Sequence, residues 1–240
     1  MPRYRIRYSK EGPARFISHL DMLRTFERAL RRAGLPVSLT QGFNPHPRMS
    51  FGFPLPVGMS GLNEYMDIDL DSAMPVEEIA GSLEKAMPPG FGVTGVCPVS
   101  EKAPSLMAEA ERSLYSVRVD RDEVPGGMAA VKNCVEDMMN SDEINVVRRK
   151  KDGRKAVFDI RPGLIRISAG EEGGSVVLEM ELMTGSSLNV RPEEVIGAMR
   201  ERCGILKETG LEIVRTVIAG RGGKDLFMDG CADTRAENTV

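Results

Sequence analysis

The residues of this 240-residue chain best suited to chemistry are two histidines and a group of arginines. His19 and His46 are its only imidazoles, and imidazole is the side chain that changes charge near neutral pH. Both fall within residues 15–48, RFISHLDMLRTFERALRRAGLPVSLTQGFNPHPR. The same stretch carries Arg15, Arg24, Arg28, Arg31, Arg32 and Arg48, with Arg7 in the segment before it. A guanidinium is a planar fork that donates two parallel hydrogen bonds to a phosphate, so grouped arginines point to an anionic partner. His19 opens a helix, where the dipole disfavours a protonated ring, and a neutral ring can accept a proton or bond a base or ribose. His46 lies between Pro45 and Pro47, which fix their own φ and push their predecessors towards extended geometry, so its loop is stiff. Gln41 and Asn44 beside it supply donors and acceptors of the kind that read nucleotide edges. Phe43, a lone loop aromatic, offers a face on which a base could stack, although such a residue more often plugs a hydrophobic gap.

Other constellations are missing from the sequence. It has no nucleophilic triad, no Walker loop and no dinucleotide fingerprint. The glycine-rich run at 220–223 follows a strand but leads into no helix, so it is a weak phosphate loop. Cys97, Cys134, Cys203 and Cys231 are far apart in sequence and none adjoins a histidine. That spacing argues against zinc and iron–sulfur sites, so neither metal nor cofactor is expected and the cysteines are read as scattered reduced thiols.

Charge is distributed unevenly. The net charge is −3, yet residues 1–50 hold ten basic and three acidic side chains, a net of +7. A basic end on an acidic protein suggests one face for an anionic partner, most plausibly nucleic acid. A second basic cluster, Arg148, Arg149, Lys150, Lys151, Arg154 and Lys155, surrounds an Asp152-Gly153 turn. Glu64, Asp67, Asp69 and Asp71 read as alternating exposed acids. No apolar run approaches the roughly 20 residues that a membrane helix needs, and the first residues lack the apolar region of a signal peptide. The expectation is a cytoplasmic protein with no membrane contact.

The elements that position these residues follow from periodicity. Residues 3–8 alternate as a half-buried strand. Ser18 is the N-cap of a helix over about 19–33, with Leu23, Phe26, Leu30 and Ala33 as its buried stripe and Gly34 at its end. A strand at 36–40, the stiff loop, an edge segment at 51–57, a strand at 63–70, a helix from Pro75 and a strand at 91–96 complete a first set. A second set of the same order runs from about 114 to 218. The expected fold is α+β: two tandem ferredoxin-like (βαββαβ) units with antiparallel sheets and helices on one face. Residues 1–97 form the first unit, 98–111 a linker, 112–220 the second unit and 221–240 a disordered tail.

Several of these segments are similar to a known family. Ser18-His19-Leu20-Asp21, the arginine-rich helix, Gln41-Gly42-Phe43-Asn44-Pro45-His46-Pro47, the run Pro54-Leu55-Pro56-Val57-Gly58 and Glu64-Tyr65 resemble the bacterial radical-SAM-associated family, the domain of unknown function 2344. Asp159-Ile160-Arg161-Pro162 and Arg191-Pro192-Glu193-Glu194 look like its second half, so the resemblance covers roughly residues 3–218. It implies an accessory role beside a radical-SAM protein, one that carries a cobalamin-binding region, plausibly acting on RNA. The chain itself lacks the cysteine signature of a radical-SAM cluster.

The expected function is therefore that of an adaptor that binds RNA through its basic N-terminal face and has no catalysis of its own. The residues expected to touch nucleic acid are Arg15, Arg24, Arg28, Arg31, Arg32, Gln41, Asn44, His46, Arg48, Arg149, Lys150 and Lys151. The alternative is a metal-independent RNA-processing or RNA-modifying enzyme with His19 and His46 as proton-transfer groups, which requires the two rings to converge.

Overall fold

Alternation in the first residues makes the first strand, as side chains of a β-strand point to opposite faces in turn. β1 (Arg3–Lys10) sends Tyr4, Ile6 and Tyr8 into an apolar core. The structure, a computed structural model, describes residues 1–150, 152–185, 188–206 and 210–227. The chain divides into two compact units, Met1–Glu111 with Val217–Val240, and Arg112–Thr216.

In the first unit β1 leads to α1 (His19–Arg32), β2 (Met49–Phe51), β3 (Ser60–Asp69), α2 (Val76–Ala86), β4 (Phe91–Val99) and the short α3 (Leu106–Glu109). β1 lies between β3 and β4, antiparallel to both, and β2 pairs antiparallel with β3. α1 starts where the Ser18 side chain accepts a hydrogen bond from the Asp21 N–H at 3.2 Å. It ends before Gly34, whose φ of +67° only glycine adopts cheaply. Met22, Phe26, Ala29 and Leu30 of α1 and Ile79 and Leu83 of α2 pack on Tyr4, Ile6, Tyr8, Met66, Ile68 and Leu70 of the sheet. The stripe of α1 is thus turned slightly from the expected one. Met22 is buried with its sulfur 3.6 Å from the Tyr8 hydroxyl, whereas Leu23 is only half-buried. Leu30 is 1% exposed. Leu30→Ala is expected to cost about 3 kcal/mol, the scale of large-to-small core changes. A lower denaturation midpoint with an unchanged m-value would show it.

The strand expected at 36–40 is reduced to the isolated bridges Val37↔Leu70 and Leu39↔Pro47. The regular edge strand is β2, just before the stretch where Pro54 and Pro56 cannot donate to a ladder. Residues 98–111, expected as a linker, are structured. β4 runs to Val99, α3 follows, and the next strand begins at Ala110. Leu106 is buried with Tyr65, Ala110, Ile218 and Leu226. The expected tail from 221 begins instead with a 3-10 turn (Arg221–Gly223) and the buried Leu226. Residues 228–240 lie outside the described residues.

The second unit takes most of β5 (Ala110–Asp120), then α4 (Gly127–Asn140), β6 (Asn145–Arg149), β7 (Lys155–Asp159), β8 (Leu164–Glu172), β9 (Ser175–Met183), α5 (Pro192–Cys203) and the first part of β10 (Glu212–Gly220). Its strands lie in the order β10-β5-β9-β8, and β6 with β7 forms a separate two-stranded ribbon. Val117, Val119, Leu178 and Met180 pack with Val131, Met138, Val195 and Met199 of the helices. Both units are thus mixed α+β, with antiparallel pairing and helices packed on the sheet.

Cys134 of α4 and Cys203 of α5 form a disulfide across a sequence separation of 69, which corrects the reading of scattered thiols. Spacing along the chain does not limit a disulfide; a Cα–Cα separation of 5.9 Å permits one. Among the described residues no helix is long and apolar enough to cross a membrane.

Candidate nucleic-acid interface

The arginines divide into those that hold the fold and those that face outward. The face of β1 opposite the helices carries Arg3, Arg5 and Arg7, and the register sets them directly across from Asp69, Asp67 and Tyr65 of β3. Arg5 is fully buried and grips Asp67 with two bonds of 2.8 and 3.1 Å. It also donates to the Glu109 carboxylate and to the Leu226 carbonyl, both at 2.8 Å. Burial works against its charge, but the Asp67 hydrogen bond and charge outweigh that and hold the guanidinium above its ordinary pKa. Arg3 is raised chiefly by its hydrogen bond to Asp69. The acids expected on the surface are therefore mostly interior. Asp67 is 4% exposed, Asp69 and Glu64 are also buried, and Asp71, exposed, accepts from Ser38 at 2.7 Å. Next to them the Tyr65 phenol is pushed up to about 12 by burial, with the Asp225 charge adding to it.

α1 and the loop after it carry the outward set. Arg24, Arg28 and Arg31 share one side of the helix, as i, i+4, i+7 spacing requires, and all three are exposed. Arg24 pairs with Asp21 at 3.3 Å. Arg28 and Arg31 have no partner among the described residues. Arg32 donates to the Ala86 carbonyl at the end of α2, so it caps a helix C-terminus. Arg15 is half-buried, with its guanidinium 4.8 Å from the Phe16 ring centre. Two of the expected contacts, Arg15 and Arg32, are thus occupied within the fold.

The loop is closed at its neck. Thr40 N–H donates to the His46 carbonyl at 2.8 Å, and His46 N–H returns to the Thr40 hydroxyl at 3.0 Å. Outside that neck Gln41, Asn44 and His46 are exposed, and Phe43 is 106% exposed. Of the two readings of Phe43, plugging a gap is the one the structure does not bear out; its ring stands in solvent in the closed loop. His46 Nδ1 lies 3.5 Å from Glu27 of α1, so the loop rests on the arginine-bearing helix. His19 stands edge-on to Phe51 at 6.0 Å. The two imidazoles therefore engage different neighbours.

In the second unit, Arg148 is anchored rather than outward. It bonds both Glu194 oxygens and the Asn189 carbonyl, each at 2.7 Å, and lies over Phe158. Arg149, Lys150 and Lys155 are exposed on the ribbon, and Lys151 lies outside the described residues. The Arg154 guanidinium holds the Asp152 carboxyl below its usual range. At the glycine-rich turn the Gly222 N–H donates to the Glu111 carboxylate at 3.0 Å. With Gly222 and Gly223 at positive φ, this turn already holds an anion of its own chain. Among the described residues no group of histidines, cysteines and acids could hold a metal ion.

The family model described as an uncharacterised protein conserved in bacteria, DUF2344, matches residues 3–192. The chain belongs to this family. The family region contains α1, the closed loop and the β6–β7 ribbon. No curated protein matches the chain. Among solved structures, it is similar to a chain of a Cbf5-Nop10-Gar1 complex, with 12% identity and a TM-score of 0.45, covering 90% of this chain. This protein spans about half, 49%, of that chain's length. A second likeness is to an unknown protein from Galdieria sulphuraria, with 12% identity and a TM-score of 0.25, covering 90% of this chain and 99% of that one.

Proposed function

We propose that this protein is an RNA-binding accessory protein, serving a radical-SAM partner that carries a cobalamin-binding region. We further propose that each unit is ferredoxin-like. The second statement rests on strand order: β4-β1-β3 with β2 on the far side of β3 in one unit, and β10-β5-β9-β8 in the other. That order supports a split βαβ arrangement in each unit. The radical-SAM partner rests on the motif resemblance alone.

The observation that carries RNA binding is the outward side of α1. Arg28 and Arg31 are exposed without acidic partners among the described residues, and Glu27 on the same helix lies 3.5 Å from His46 Nδ1 rather than against either guanidinium. Uncompensated arginines suit phosphates, and an exposed aromatic on a stiff loop suits a stacked base. The enzyme reading needs His19 and His46 on one substrate, and their separate neighbours lend it no support.

Filter binding of single-stranded and hairpin RNA over a salt series tests this. Affinity is expected to fall steeply as salt rises, because neutralised phosphates release counterions. Arg28→Ala should weaken binding to unrelated sequences alike and flatten the salt slope by about one contact. Phe43→Ala should cost about 1–3 kcal/mol on single-stranded RNA, the scale of one base stacked on an aromatic ring. No binding at low salt by the wild-type protein would reject the reading and leave the basic helix as a docking face for an acidic protein.

A further inference from the structure

Beneath the neck of the loop is a pocket of about 260 Å³, lined by Arg3, Arg48, Thr40, Ser50, Asp67 and Asp69 among others. Its construction is specific. Asp69, 11% exposed in its side chain, receives Arg3 Nε at 2.8 Å and Arg48 Nε at 3.4 Å. One carboxylate thus orients two guanidiniums, each held chiefly through Nε. Arg3 Nη2 reaches Asp69 only at 3.5 Å, and Arg48 Nη1 touches only the Met1 sulfur at 3.8 Å. The remaining terminal nitrogens, Nη1 of Arg3 and Nη2 of Arg48, have no partner among the described residues.

The other wall groups fit an anion as well. Asp67 also lines the pocket, but Arg5 holds both of its oxygens, so its charge is matched from the sheet side. The Thr40 hydroxyl accepts from His46 N–H, which leaves its own proton to donate. Ser50 stands opposite Asp67 in the β2–β3 register, with no partner among the described residues. Two cations sharing one carboxylate, with two hydroxyl donors, form an anion site. Two unpartnered guanidinium nitrogens and two hydroxyls offer more donors than the two oxygens of a carboxylate need, which suits an oxyanion with several acceptor oxygens such as phosphate.

We propose that this pocket binds a phosphate group. Arg3 and Arg48 take its oxygens, Thr40 and Ser50 donate to it, and Asp69 is a positioning residue that holds the two guanidiniums. The inference deepens the RNA reading and rests on it only for the source of the phosphate, which is a nucleotide or an RNA strand.

The test is thermal unfolding of the full chain in inorganic phosphate, in adenosine 5′-monophosphate, in adenosine, and in chloride at matched ionic strength. A ligand that binds only the folded state raises the midpoint with concentration. Phosphate and the nucleotide are expected to raise it by roughly a few degrees, and adenosine and chloride are not. Arg48→Gln, on an exposed side chain, should abolish the shift while leaving the ligand-free midpoint close to wild type. Should that variant fold poorly, Ser50→Val is expected to lower the shift from the far wall. Arg28→Ala should retain the full shift while losing RNA affinity, which separates the pocket from the helix face. A shift without RNA binding upholds the pocket and rejects the RNA reading. RNA binding with no phosphate shift, or an undiminished shift in Arg48→Gln, overturns the pocket.

Discussion

Arg5→Ala is expected to destabilise the first unit by about 4 kcal/mol, since removing one partner of a buried ion pair leaves the other charged, buried and alone. The Arg5 side chain is fully buried and that of Asp67 is 5% exposed. Four bonds leave this one guanidinium, two to Asp67, one to Glu109 and one to the Leu226 carbonyl. Its loss would strand a carboxylate in the sheet and free α3 and the segment around Leu226 from their shared anchor. Urea unfolding of the variant measures the cost. The double substitution Arg5→Met with Asp67→Leu should recover much of it, because apolar replacement of both partners removes the desolvation penalty along with the attraction. Equal instability of the single and double variants would show that the network contributes through Glu109 and Leu226 rather than through the ion pair.

Opening the disulfide should cost a similar amount in the second unit. Cys134 and Cys203 close a loop of 69 residues, for which the chain-entropy model gives about 4 kcal/mol at 25 °C. The bond joins α4 to α5, and both helices contribute to one core. Cys134→Ser or Cys203→Ser is expected to lower the unfolding midpoint of that unit and leave the first unit's contribution unchanged, whereas a reductant would also act on Cys97 of the first unit, which is disulfide-bonded as well. Peptide mapping after thiol alkylation, with and without reductant, reports whether Cys134 and Cys203 are joined. Insensitivity of the unfolding curve to reduction would show that packing of Met138, Val195 and Met199 suffices.

The sequence made the strands and long helices legible wherever one face is apolar. Residues 3–8 alternate and form β1, and the Ser18 cap and Gly34 bound α1. What was hidden is pairing over distance. Arg3, Arg5 and Arg7 look like part of a basic surface until Asp69, Asp67 and Tyr65, some sixty residues on, are set opposite them. A signal did exist: two alternating segments with opposite charge on one face suit cross-strand pairing. The same limit concealed Glu111 in the glycine-rich turn, Leu106 in the expected linker and the meeting of Cys134 with Cys203. At the candidate site, the exposure of Arg24, Arg28, Arg31 and His46 followed from periodicity and proline stiffness. The capping role of Arg32 and the solvent-facing ring of Phe43 depend on α2 and on the closed neck, which local pattern does not report.

The division of the chain bears on its synthesis. The first unit needs residues from both sides of the second, whereas Arg112–Thr216 is one continuous segment. As the polypeptide leaves the ribosome, α1, the closed loop and β3 emerge before the interior segment, but Ile218 and Leu226, which pack with Tyr65 and Leu106, emerge only after it. One acceptor of Arg5, the Leu226 carbonyl, is 221 positions away. The interior segment can therefore close while the flanking unit still waits for its last pieces, the reverse of the usual order in which N-terminal domains finish first. A nascent chain stalled before Val217 should show a protease-resistant interior fragment and an N-terminal part still open to cleavage.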